Sequence, residues 1–305
     1  MCRFVTLSIF FRTTPHANTP DQSVCRCLRA SASLIWLPVL IMSLMPAYQV
    51  HAHEFWIESD DVTIDAGTSI VASLRNGENF QGSEMLFIPQ KFRQFVLYDQ
   101  SITRNVESRL GDSPALHEPA DKEALYVAVY ESTDTVLSYD NFAKFEEFAT
   151  REDVRWILEE HSARALPTTN IAEVYTRFAK SLFGVGSAGG NDKSFELELE
   201  LIALTNPYQL EENQNMQFML SKMQQPQPDT QVYVFHKPTS NSTASTETSA
   251  TIYRTDAEGI VSFPVDRAGQ YLVNAVVVKN TKPQQMLETG AFWHSLWASS
   301  TFVRE

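Results

Sequence analysis

The sequence predicts a mostly β protein: two β-sandwich units, Ig-like or prealbumin-like, with an α-helical insert in the first. Three observations carry that prediction. Apolar and polar residues alternate over short runs bounded by Gly, Asn and Asp. One internal stretch, 141–185, carries apolar residues at helical spacing instead. The second half contains six or seven short strand candidates at the spacing of a small sandwich.

Residues 1–52 read as a leader rather than as fold. Arg3, Arg12, Arg26 and Arg29 precede the apolar run 33–45, and Val50-His51-Ala52 follows it. That is the layout of a secretory signal cleaved after Ala52. The apolar run is shorter than the ~20 residues a spanning helix needs, so an integral membrane protein is not expected. The predicted location is the periplasm. The leader holds all three cysteines, four of the 24 Lys+Arg and one of the 37 Asp+Glu. What remains has no thiol, 20 basic and 36 acidic residues, and a net charge of −16. Nucleic acid and anionic membrane are poor partners for such a surface.

The first unit is expected over 53–193. Val62, Ile64, Ile70, Ala72 and Leu74 alternate around the turn Asp65-Ala66-Gly67. Runs 93–99 and 123–132 are further strands, and in the latter Tyr126, Ala128 and Tyr130 interleave with Val127 and Val129, as if both faces were covered. The helical insert rests on Val154, Ile157 and Leu158, then on Ile171, Val174, Tyr175, Phe178, Ala179 and Leu182, with Thr150 and Asn170 as start signals and Pro167 as a stop. Run 184–193 is a flexible connection. The second unit is expected over 194–305. It opens with Phe195, Leu197, Leu199 and Leu201 alternating with Glu196, Glu198 and Glu200, which predicts an acidic solvent face. It closes with a strand containing Trp293, His294 and Trp297.

The order of motifs resembles a family of bacterial periplasmic proteins. That family bears a domain-of-unknown-function label and includes accessory components of cobalt and nickel uptake systems. The resemblance rests on His53-Glu54-Phe55-Trp56 directly after the leader, and on the Gly67 to Gly82 stretch. It continues with Tyr175, Arg177, Ala179 and Lys180, then Leu204-Thr205-Asn206-Pro207. Thr255, Asp256, Gly259 and Phe263 follow, and the Trp-rich last strand ends the series. It implies a non-catalytic metal-binding protein that serves nickel, cobalt or copper handling, with a membrane metal transporter or receptor as partner. Members usually carry more histidines near the N-terminus, whereas none follows His53 here until His117.

The residues themselves point to the same chemistry. A histidine left at a new N-terminus offers an α-amine and an imidazole to one divalent ion, and such nitrogen donors suit Ni, Co and Cu. His53 is therefore the leading metal ligand, with His294 and His117 as partners and Glu54 and Glu58 as groups that orient them. The plainer reading makes both glutamates solvent-facing strand residues and Trp56 a core residue. There is no Gly-x-Ser-x-Gly, His-Glu-x-x-His, phosphate loop or dinucleotide fingerprint, and no enzyme is expected. Two other readings compete with metal capture: a metal-free binding or structural module, and a copper oxygenase that starts with histidine.

Overall fold

The computed structural model describes residues 54–59, 61, 64–238 and 247–304. The leader, His53 and most of the polar run 240–250 lie outside them. In chain order the elements are β1 (Glu54–Glu58), β2 (Thr68–Glu78), β3 (Gln81–Met85), β4 (Phe92–Tyr98), β5 (Thr103–Asn105), β6 (Leu116–Ala120), β7 (Ala124–Ser132) and β8 (Thr135–Asn141). Two helices follow, α1 (Phe142–Arg151) and α2 (Trp156–Ala163). Then come β9 (Thr169–Val185), β10 (Leu199–Ala203), β11 (Asn215–Lys222), β12 (Gln225–Pro226), β13 (Gln231–Pro238), β14 (Ser249–Arg254), β15 (Ile260–Pro264) and β16 (Gly269–Asn280). Helix α3 (Pro283–Thr289) and β17 (Trp293–Arg304) end the chain. Strand accounts for 53% and helix for 12%, so the mostly β expectation holds. No helix among the described residues is long and apolar enough to cross a membrane.

The strands form three sheets. The largest runs β14-β13-β16-β17-β9-β7-β4-β5, with β8 paired to the first half of β9. A small sheet of β1, β2, β3 and β6 lies on one face, and another of β10, β11, β12 and β15 on the other. Strand β7 shows how the layers arise. Leu125, Val127 and Val129 enter the core shared with β10, β11 and β15, while Ala124, Tyr126, Ala128 and Tyr130 enter the core shared with β1 and β2. Successive side chains point to opposite faces, so a strand covered on both sides must be apolar on both. Farther along the large sheet, α1 and α2 cover the face bearing Trp293, Trp297, Val276 and Val278.

The large sheet crosses the boundary expected at residue 193. The last strand, β17, runs parallel to β9 in register from Trp293↔Glu173 to Thr301↔Ser181. The two halves of the chain therefore share one sheet.

Three local expectations need correction. Residues 171–182 are not helical: they lie in the 17-residue strand β9. Because β9 is buried on both faces, it loses the polar alternation that marks a half-exposed strand. Its apolar residues then also fit a helical stripe. The single helix expected before Pro167 is two helices, the first capped by Asn141 rather than Thr150, and the break lies where Asp153 takes a positive φ of 56°. The acidic face of 196–200 does not exist as such. Glu196 is exposed, Glu198 pairs with Lys279, and Glu200 is buried against Lys180.

That last contact is a buried ion triad. Lys180 Nζ lies 2.7 Å from Asp192 and 3.1 Å from Glu200, and all three side chains are sealed from solvent. Breaking a buried pair leaves an uncompensated charge. Lys180→Met keeps the volume and removes the cation, so it should lower the stability read from urea unfolding by about 3–5 kcal/mol. A loss under about 1 kcal/mol, typical of an exposed pair, would show that the triad contributes little.

Candidate functional site

The chemistry predicted for the N-terminal histidine would sit where β1 begins. Strand β1 pairs with β2 and lies across the large sheet, where Ser299 Oγ donates to Phe55 O and Thr301 Oγ1 to Ile57 O, both at 2.6 Å. Trp56 is 1% exposed and packs edge-on against Phe80, which makes it a core residue as expected.

Glu54 and Glu58 are both buried, contrary to the solvent-facing reading. Strand β1 is covered on both faces, so neither alternate position reaches water. The two carboxylates differ sharply. Glu58 pairs with Arg75 and Lys237, each at 2.8 Å. Glu54 Oε2 has no hydrogen-bond partner. Burial pushes the Glu54 carboxyl up to about 7, and Glu152 and Glu78 push the same way while Arg151 opposes them. Other polar atoms around this end of β1 are also unpartnered: Trp56 Nε1, Asn76 Oδ1 and Asn274 Nδ2. The last turn of α1 borders the site. Arg151 bonds Glu152 at 2.7 Å and Glu78 at 3.4 Å, and its carbonyl accepts from Gln231 and from the Tyr233 hydroxyl. The Arg177 guanidinium stacks over Tyr175 and Phe55, and burial lowers its pKa.

The other predicted ligands lie elsewhere. His117 is exposed on strand β6, and it faces Val71 of β2. Glu54 faces Gly77 of the same strand. Six residues of strand separate these positions, about 20 Å at the ~3.3 Å rise of a strand. His294 lies on the opposite face of the large sheet from β1. Its neighbours Leu296 and Ala298 enter the core with β10 and β11, whereas Ser299 and Thr301 meet β1. Burial, then the charge of Lys279, pulls its imidazole down to about 4. His161 uses both ring nitrogens, on Pro167 O and on the Trp293 indole, and His236 bonds Ala268 O. Among the described residues no three His, Cys, Asp or Glu side chains converge on a point that could hold a metal ion. A metal at this end of the molecule needs donors from His53.

Sequence reasoning missed Glu152 and Arg151, which reach the site through the turn after α1, and it gave Glu78 no role. No local pattern distinguishes them from other helix and strand charges.

The family described as a domain of unknown function (DUF4198) matches residues 50–279. The chain belongs to that family. No curated protein matches it. In this DUF4198 protein the matched span contains β1, Glu78, Arg151 and Glu152, while α3 and β17, with His294 and Ser299, follow it.

Another buried carboxylate lies on the same face. Glu173 is sealed on β9, accepts from Tyr139 at 2.9 Å and from Ser295, and burial raises it to about 7. The folded state therefore holds a proton that the unfolded chain, at the ordinary carboxylate value of 4.5, releases earlier. The stability this confers is complete below pH 4.5 and is lost as the pH rises through 7. Relative to Glu173→Gln, the wild type should lose up to about 3 kcal/mol across that window, since each pKa unit is worth ~1.4 kcal/mol. Urea midpoints of both proteins from pH 4 to 8 measure the difference; parallel profiles would refute it.

Proposed function

We propose that this protein captures a divalent transition-metal ion at the N-terminal end of β1 and hands it to a membrane transporter or receptor. One observation carries the reading: Glu54, the residue after His53, has a buried carboxylate oxygen with no donor. An unpaired buried carboxylate is costly and resolves the cost by protonation or by taking a cation. Its raised pKa is the first outcome, and a bound cation would be the second. Cleavage after Ala52 in the periplasm would free the His53 amine, and amine, imidazole and Glu54 Oε2 would then supply two nitrogens and one oxygen. Such a mixed set suits Ni, Co or Cu. Binding would displace protons from these groups, so affinity should weaken as the pH falls. The role is capture without catalysis.

A metal-free binding module is the second reading, favoured by the lack of a converging three-ligand group among the described residues. Calorimetric titration of protein confirmed by mass spectrometry to start at His53 separates the two. With Ni²⁺, Co²⁺ or Cu²⁺, His53→Ala and Glu54→Gln should each weaken binding by tenfold or more, about 1.4 kcal/mol. A form with one extra alanine before His53 should behave like His53→Ala. Equal binding by all four proteins would remove the metal reading and leave the module.

A further inference from the structure

On the far face of the large sheet, a hydrogen-bond chain fixes the state of one imidazole. Asp134 accepts from Arg93 at 2.6 Å and from Gln285 at 2.9 Å, and against the effect of burial the Arg93 bond and charge hold it ionised. An ionised carboxylate only accepts, so the Thr176 hydroxyl donates its one hydrogen to Asp134 at 2.8 Å. His294 Nε2 lies 2.7 Å from Thr176 Oγ1 and must then be the donor. Burial keeps the ring neutral near pH 7, so its Nδ1 carries a lone pair. Among the described residues no group bonds that nitrogen, and His294 lines a depression of about 370 Å³.

The depression is polar and adjoins a second of about 670 Å³, with Glu131, Glu198, Lys279 and Lys282 lining both. The His294 end adds the carboxylates of Asp134 and Glu288 and the guanidinium of Arg93, and the other end adds the ammonium of Lys222 and the carboxylate of Glu196. Among the described residues Lys222 and Lys282 have no ion-pair partner. Arg93 is engaged by Glu131 and Asp134 and Lys279 by Glu198, so the cations left for a ligand are Lys282, where the two depressions meet, and Lys222 at the end away from His294.

We propose that this trough is a metal-independent site for a zwitterionic amino-carboxylate, an amino acid or short peptide. Its ammonium group donates to His294 Nδ1 beside Glu131 and Glu198, and its carboxylate pairs with Lys282 and Lys222. Thr176 acts as a positioning residue by fixing the tautomer. The site lies on the opposite face from β1 and is independent of the metal reading.

The test is calorimetry on EDTA-treated full protein with triglycine as probe. Binding is expected, unchanged in His53→Ala. Lys282→Ala, at an exposed position that leaves the fold intact, should weaken it about tenfold, the worth of one charged contact. Thr176→Val should weaken it comparably while ¹⁵N NMR shows that the His294 imidazole no longer holds a single tautomer. N-acetyl-triglycine, which lacks the ammonium, should not bind. No triglycine binding at millimolar concentration, equal binding of the acetylated probe, indifference to Lys282→Ala and Thr176→Val, or binding of glucose or inorganic phosphate instead would each overturn the assignment.

Discussion

The arrangement depends on a lysine sealed inside the protein. Lys180 sits in β9 at 1% exposure between Asp192 and Glu200, and its ammonium also reaches the Lys193 carbonyl at 3.1 Å. Desolvating three ions is expensive, and their attraction offsets that cost only where every lone pair finds a partner. Here they do. Asp192 accepts from the Ala203 amide, and Glu200 accepts from the Phe195 amide and the Ser194 hydroxyl. The connection between β9 and β10 is thereby clamped at both ends. Phe195 packs its ring 5.0 Å from the same ammonium. A stretch rich in Gly, Asn and Ser, which reads as a loose linker, is held in place by charge.

That clamp also sets which residues can meet. Strand β9 alternates, so Thr176 and Lys180 point toward β10, whereas Glu173, Arg177 and Ala179 point toward β1 and the helices. The parallel partner β17 follows the same rule. The consequence is geometric: His294 belongs with Thr176, and the Glu54 surround belongs with Arg177 and Ser299. A metal site at β1 cannot recruit His294 without crossing a sheet, which is why the N-terminal residue must supply the nitrogens. His117 fails for another reason, being separated from Glu54 along β2 rather than across it.

Much of the fold was legible because β7, β13, β16 and β17 are buried enough to be apolar yet short enough to be bounded by turns. The interleaving of Tyr126, Ala128 and Tyr130 with Val127 and Val129 revealed a strand covered on both faces, and the structure covers it with two different sheets. The same physics hid β9. Its buried polar residues Glu173, Arg177 and Lys180 looked like the wet face of a helix, because a partner that neutralises a charge from 12 or 20 residues away leaves no trace in local spacing. The β-branched and aromatic residues of the run, Val174, Tyr175, Thr176, Phe178 and Phe183, were the better guide. Glu54 was legible as a neighbour of a special histidine. Its burial was not, since that depends on Ser299 and Thr301, some 244 residues distant.

Polar residues in the middle of an apolar strand resolve an ambiguity that hydrophobic burial cannot. With apolar residues on both faces, β9 could slip by one position and still bury Val, Phe, Ala and Leu. Such a slip exchanges the two faces. It would drive the Lys180 ammonium in among Phe55, Ala128 and Phe183 and leave Asp192 and Glu200 without a cation. It would also aim Thr176 away from His294 and bring Arg177 toward Leu201 and Phe218. Each of these strands a buried charge or donor, at several kcal/mol apiece for the ions. The register of β9, and through it the placement of β17, of His294 and of the groups around Glu54, follows from where those three polar side chains find their counter-charges and acceptors.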